Sequence, residues 1–206
     1  MEYKPNVGLV DFFAVLLPGA LLAFLLKRWT CSLFNGTILP QIRPESTEGW
    51  VAFVFAAYLL GQFTYLVGAT FMDWLYDHTY MLYMKWWKGD ALWTEATERI
   101  ADKKRGMADK LKWIRAYVRL SSPDAAIEIE RFEATSKFFR SLFIVLLVYA
   151  GYFVSVSPCH WHAFAATLGL LVLSFWRFCD QRWKFTELSC LYFYQLTADG
   201  ETSTRR

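Results

Sequence analysis

From Trp50 to Met72 the chain runs 23 residues without a charged side chain. At about 1.5 Å per residue, a helix of that length reaches about 35 Å, enough to cross a hydrocarbon core about 30 Å thick. Charge elsewhere is gathered into blocks that alternate with apolar runs, the layout of a protein that crosses a bilayer several times. With 55% hydrophobic and 19% aromatic residues, the composition excludes a disordered or collagen-like chain.

Two further runs lie late in the chain, Ser141 to Ser157 and Ala163 to Trp176. The second is 14 residues and spans only if His162 and Arg177 sit at the interfaces. Phe12 to Leu26 is the first run, with Pro18 and Gly19 in its middle. It reads as a kinked span, or as a re-entrant element if it does not cross completely. A signal peptide fits it poorly, because Glu2 and Asp11 accompany Lys4 and no small-residue cleavage site follows cleanly.

Lys and Arg in the connections set the orientation. Asp73 to Arg140 carries 13, the segment from Arg177 carries 5, Lys27 to Gly49 carries 3, and Ser155 to His162 carries none. The positive-inside rule then puts both termini and the large middle segment in the cytoplasm. The expected fold is an all-α polytopic membrane protein with four transmembrane helices. It has a first transmembrane hairpin over residues 1–72, a helical cytoplasmic module over 73–140, a second transmembrane hairpin over 141–177 and a cytoplasmic C-terminal tail over 178–206.

This topology puts Cys31 and Cys159 on the outer side, where they form a disulfide in an oxidising periplasm unless Cys31 is simply a small residue within interfacial surface. Cys159, His160 and His162 supply three ligand-type side chains in four residues, but no second cluster of matching spacing accompanies them, so no metal and no cofactor is expected. Nucleophile elbows, phosphate loops, His-Glu-x-x-His and Cys-x-x-Cys are all missing, and Asp77 beside His78 reads better as interfacial than as an acid/base pair. The expectation is a protein that is not an enzyme.

Within the second span, Ala57, Gly61, Thr64 and Gly68 recur at heptad spacing, a stripe of small residues that lets another helix approach closely. The partner helix belongs either to the same chain or to a neighbouring copy. Gln62 is the strongly polar residue near the middle of a span, and it lines a pore or bonds a neighbouring helix. Ionisable residues are missing from the middle of the spans, which argues against a proton-coupled transporter. Asp11 and Asp73 lie at the cytoplasmic ends of the first two spans, as helix caps or as an entrance ring in an assembly.

In the middle segment, Glu95 to Leu120 reads as an amphipathic helix with Ile100, Met107, Leu111, Ile114 and Val118 on one stripe. Lys104, Arg105, Lys112, Arg115 and Arg119 fall in an arc of about 100° on the same wheel. They form either a ligand site for a nucleotide, an oligonucleotide or lipid headgroups, or a basic juxtamembrane face paired with acids of the next helix. Ser122-Pro123-Asp124 gives the next start, with Ser122 as cap and Pro123 at the first helical position. One helix from Pro123 to about Ser157 is then expected, its first third outside the bilayer as part of a stalk.

Asp11-Phe12-Phe13 with Leu17-Pro18-Gly19, and Ser122-Pro123 leading into Glu130-Arg131-Phe132-Glu133-Ala134 and Phe138-Phe139-Arg140, resemble small four-span membrane proteins of bacterial antiphage defence loci. The family named by this resemblance is that of the Hailong-type membrane effectors and, more distantly, the Kiwa membrane component. The resemblance implies a homo-oligomeric channel, closed until a nucleotide or protein cue reaches its cytoplasmic part. It carries over no site residues. The alternative is a membrane anchor or receptor that recruits a cytoplasmic partner protein through Phe132, Phe138 and the stalk, without conducting ions.

Overall fold

The structure is a computed structural model that describes residues 6–33, 47–79, 96, 107–156 and 161–203. The elements are helices: α1 (Asn6–Leu33), α2 (Thr47–His78), α3 (Met107–Ser121), α4 (Pro123–Val156) and α5 (Trp161–Ser203). Three of them, over Thr47–His78, Pro123–Ser155 and Trp161–Ala198, are long and apolar enough to cross a membrane. Across the described residues the chain is therefore all-helical, with the span-type helices of a membrane protein.

α1 holds 28 residues and stays helical through Pro18, whose ring is fully buried. Proline removes one backbone donor and pushes on the preceding turn, so such a helix bends at this point but need not end. α2 holds 32 residues and closes at His78, with a turn at Thr79. Residues 95 and 97–106 of the expected amphipathic helix lie outside the described residues.

α3 and α4 are separated by Ser122 alone. Its backbone N–H donates to the Val118 carbonyl at 2.8 Å, closing α3, and its carbonyl accepts from Ala126 N at 3.1 Å, opening α4. Pro123 occupies the position where a missing N–H costs nothing, and Asp124 lies in the first turn, where the helix dipole favours an acid. α4 then continues for 34 residues, through Gly151, from the start that the capping chemistry predicts.

The chain divides into two compact units. The first comprises residues 1–75 and 134–178, drawing on α1, α2, α4 and α5. Leu22 and Leu25 of α1 pack with Val145 and Tyr152 of α4, and Leu60 of α2 joins them. Phe143 and Phe175 meet at 6.0 Å, and Ser174 donates to the Phe139 carbonyl at 3.0 Å, fastening α5 to α4. The outer surface of this unit is apolar. Val51, Phe55, Phe63 and Val67 of α2 and Leu170, Val172 and Leu173 of α5 are all exposed, an arrangement suited to lipid and costly in water.

The second unit comprises residues 76–133 and 179–206. Ile114 and Val118 of α3, Ala125 and Ile129 of α4, and Phe185, Cys190 and Phe193 of α5 form its core, with Ala96. Trp113 and Tyr117 lie edge-on to the Phe193 ring, at 5.6 and 5.4 Å. Tyr192 donates to the Glu128 carboxylate, tying α5 to α4. The segment after Phe178 is thus a continuous helix with a buried face.

Candidate functional site

In the first unit the small-residue stripe of α2 is occupied by two helices of the same chain in succession. A Cβ on Gly61 would overlap the Val15 carbonyl of α1, and one on Gly19 would overlap the Ala57 carbonyl of α2. Gly19 and Gly61 therefore let the α1 and α2 backbones touch, the close approach that small residues permit in membrane helices. Ala57 is fully buried, and Thr64 is buried with its hydroxyl donating to the Gly61 carbonyl at 2.8 Å. Further along, Gly68 faces α4, where its Cβ would stand 3.0 Å from Arg140 Cγ.

Arg140 is the residue that spacing did not single out as a site. Only 5% of it is exposed, although it is an arginine on a span-type helix. Its Nη1 donates to both oxygens of Asp73, at 3.5 and 3.4 Å, and its guanidinium lies 4.4 Å from the centre of the Tyr65 ring. Its Nε is buried without a hydrogen-bond partner. A carboxylate and an aromatic face together compensate the burial of this cation. Asp73 is thus engaged within the chain, by α4.

Gln62 lies one residue from the stripe and lines a groove of about 400 Å³ with Phe12, Ala14, Val15, Tyr58, Tyr65 and Lys137. It is half-buried, and its side chain makes no hydrogen bond to any described residue. On one side α2 presents hydrocarbon, and at Gln62, Tyr58 and Tyr65 it presents polar tips.

In the second unit, Lys112, Arg115 and Arg119 of the basic arc lie together along α3, and Glu130 and Glu133 of α4 face them. Arg115 Nη1 stands 3.8 Å from Glu133, and Arg119 Nη2 stands 3.3 Å from Glu130. These five side chains line a groove of about 300 Å³ floored by Val118, Ala126 and Ile129. Arg115 also packs over the Phe185 ring at 4.7 Å, and Arg182 of α5 approaches the same ring at 5.9 Å. Burial lowers the Arg115 pKa from its ordinary value; Glu133 opposes this and the Arg182 charge adds to it. Lys104 and Arg105 lie outside the described residues.

Cys159 and the side chain of Cys31 also lie outside them. Cys179 and Cys190 are free and buried. Asp77 and His78 are exposed at the end of α2, and the His162 ring lies 3.9 Å from the Trp161 ring at the start of α5. Among the described residues no three His, Cys, Asp or Glu side chains are grouped to hold a metal. Phe132 packs against the core of the second unit, and Phe138 stacks edge-on to Phe139 at 5.3 Å. No known protein family, curated protein or solved structure matches the chain.

Proposed function

We propose that the chain is a four-span protein of a bacterial inner membrane, with α1 as the remaining span and both termini cytoplasmic. It assembles into a homo-oligomeric channel-type effector, without enzymatic activity, gated by a nucleotide, oligonucleotide or protein cue at its helical module. Antiphage defence is the setting that the sequence resemblance suggests. Gln62 carries the reading. It stands 12 residues from both Trp50 and Trp74, about 18 Å along the helix in each direction, and so at mid-depth if these tryptophans mark the two interfaces. An amide left against hydrocarbon costs about 1–3 kcal/mol or more. A neighbouring copy or a water-filled path that meets Gln62, Tyr58 and Tyr65 removes that cost.

The test is conductance of the purified protein in planar bilayers, with its oligomeric mass measured in the same detergent. A defined oligomer that conducts, and whose unitary conductance changes in Gln62→Leu, supports the channel. A monomer silent with every nucleotide and oligonucleotide tried overturns it.

The anchor reading has its own observation. Leu120, at the end of α3, is 87% exposed, and Ile127, in the first turns of α4, is exposed as well. Two large apolar side chains flanking the α3–α4 junction suit a protein partner. Because Phe132 is engaged in the core, Leu120 and Ile127 take its place as contact residues in this reading. It is tested by co-purification with a partner that Leu120→Asp abolishes.

A further inference from the structure

Tyr58, Gln62 and Tyr65 recur at helical spacing on one face of α2, and all three line the groove of about 400 Å³ between α1, α2 and α4. Elsewhere in this unit, short hydroxyl side chains turn back to carbonyls of their own helix: Thr64 to Gly61, Thr70 to Leu66, Ser155 to Gly151 and Thr167 to Ala163. That local bond is open to serine and threonine, not to a tyrosine. The side chains of Tyr58, Gln62 and Tyr65 make no hydrogen bond to any described residue. Three hydrogen-bonding groups thus converge on one cavity in a unit whose outer surface is apolar, where unmet polar groups are costly. A second groove, of about 460 Å³, shares Phe12 and Tyr58 with the first. It follows α2 past Phe55 and Val54 to Trp50, about 12 Å along the helix, and apart from the Trp50 and Tyr58 tips its lining is hydrocarbon. Where the two grooves join, the Phe12 and Tyr58 rings are stacked, with centroids 5.9 Å apart and planes 23° from parallel.

We infer that the two grooves together hold an isoprenoid quinone, its ring in the polar groove and its tail in the apolar one. Quinone carbonyls accept hydrogen bonds and the ring offers none, which matches a wall whose phenols and carboxamide can all donate. Lys137 adds a cation at the α4 side, and no carboxylate is among the described residues of the lining, so nothing there repels the carbonyl oxygens. The stacked pair of Phe12 and Tyr58 gives a flat ring an aromatic neighbour at the point where head passes into tail. An apolar cleft of this volume with a few convergent polar groups is the usual build of a small-molecule site. A glycerophospholipid matches less well: it brings two chains to one apolar groove, and a phosphate to a lining with a single described cation. The inference deepens the proposed function, because the ring meets the same three side chains as the conduction path, and it rests on that reading only for an effect on conductance.

The probe is a ubiquinone carrying two isoprene units, bound to the immobilised full-length protein in detergent and measured over a blank of resin and micelles. Saturable binding at micromolar concentration is expected, weakened about tenfold in Gln62→Leu and severalfold in Tyr58→Phe and Tyr65→Phe, which keep the ring and remove the donor. Val54→Trp fills the apolar groove from an exposed position, so it should weaken the tailed quinone and leave the same benzoquinone without a tail unaffected. Thermal midpoints without quinone confirm that the variants fold, and the two phenylalanine variants keep the test decisive if Gln62→Leu does not. Binding that never saturates, or that is indifferent to all four variants, overturns the inference. So does displacement of the quinone by an equal concentration of oleate or phosphatidylglycerol, which assigns the groove to acyl lipid. Quinone binding as described in a protein that never conducts upholds the site and overturns the channel, and a conducting oligomer that binds no quinone does the reverse.

Discussion

Arg140 of α4 and Asp73 of α2 form an ion pair at 3.4 Å in which the arginine is almost entirely buried and the aspartate side chain is 36% exposed. Taking a guanidinium out of solvent is costly, and breaking its pair leaves an uncompensated charge. Asp73→Asn is therefore expected to destabilise the protein by about 3 kcal/mol, the low end for a broken buried pair because Asp73 keeps partial solvent contact. Arg140→Met should cost less, since it removes the buried charge itself. A double-mutant cycle on thermal denaturation in detergent checks this; a coupling energy within about 0.3 kcal/mol of zero would mean that the contact carries no weight.

Helix packing gives a sharper contrast. Gly19 and Gly61 sit at backbone-to-backbone contact, whereas a Cβ on Gly151 or Gly169 would meet nothing within 4 Å. Gly61→Ala and Gly19→Ala are expected to cost about 3 kcal/mol or more, because a backbone and not a flexible side chain must yield. Gly151→Ala and Gly169→Ala should instead stabilise by about 0.5–1 kcal/mol through lost chain entropy in the unfolded state. Monodispersity and thermal midpoint of the four variants decide it, and equal behaviour of both pairs would mean that the crossing is looser than described.

The same residues explain what a reader of the sequence can and cannot see. The run from Trp50 to Met72 announces a span because absence of charge is a local property, and Ser122-Pro123 announces the start of α4 because capping is local too. The stripe Ala57, Gly61, Thr64, Gly68 announces a packing face but not its partner, since choosing between α1, α4 and another copy is a tertiary matter. Burial of Arg140 is equally invisible, because an arginine at the edge of an apolar run looks like an interfacial anchor. The extension of α5 to Ser203 left a trace in Phe178, Phe185, Ser189, Phe193 and Leu196, which recur at helical spacing. Charges between them hid it from a search for apolar runs. In the groove, the arc of cations was legible, whereas Arg182 was not, because it comes from another helix.

Buried thiols offer a check on the second unit's core. Cys190 is 2% exposed among Phe185, Phe193 and Ile129, and Cys179 is fully buried. Neither should react with maleimide in the folded protein, and both should react after Phe185→Ala, a truncation expected to cost about 3–5 kcal/mol. Mass spectrometry of the labelled protein reads this out; rapid labelling of Cys190 in the unmodified chain would contradict the packing of α5 against α3 and α4.

Arg115 tests whether the groove is built for stability. Burial disfavours its charged form, Glu133 offsets this in part, and Arg182 opposes it again. The shift is downward, so the folded state holds the Arg115 proton less tightly than the unfolded state, and the group costs stability at every pH where both states stay protonated. An arginine stays protonated in both states across the ordinary range, so this cost should be constant from about pH 5 to 9. Replacing both partners, Arg115→Met with Glu133→Leu, should then be neutral or stabilising by about 1 kcal/mol or more, as for other ion pairs exchanged for packed apolar groups. Glu133→Gln alone should destabilise, because it leaves Arg115 over Phe185 without its nearest anion. Denaturation of the two variants at pH 6 and pH 8 measures both effects. A double variant markedly less stable than the parent would show that the pair holds α3 to α4, and that its purpose is structural.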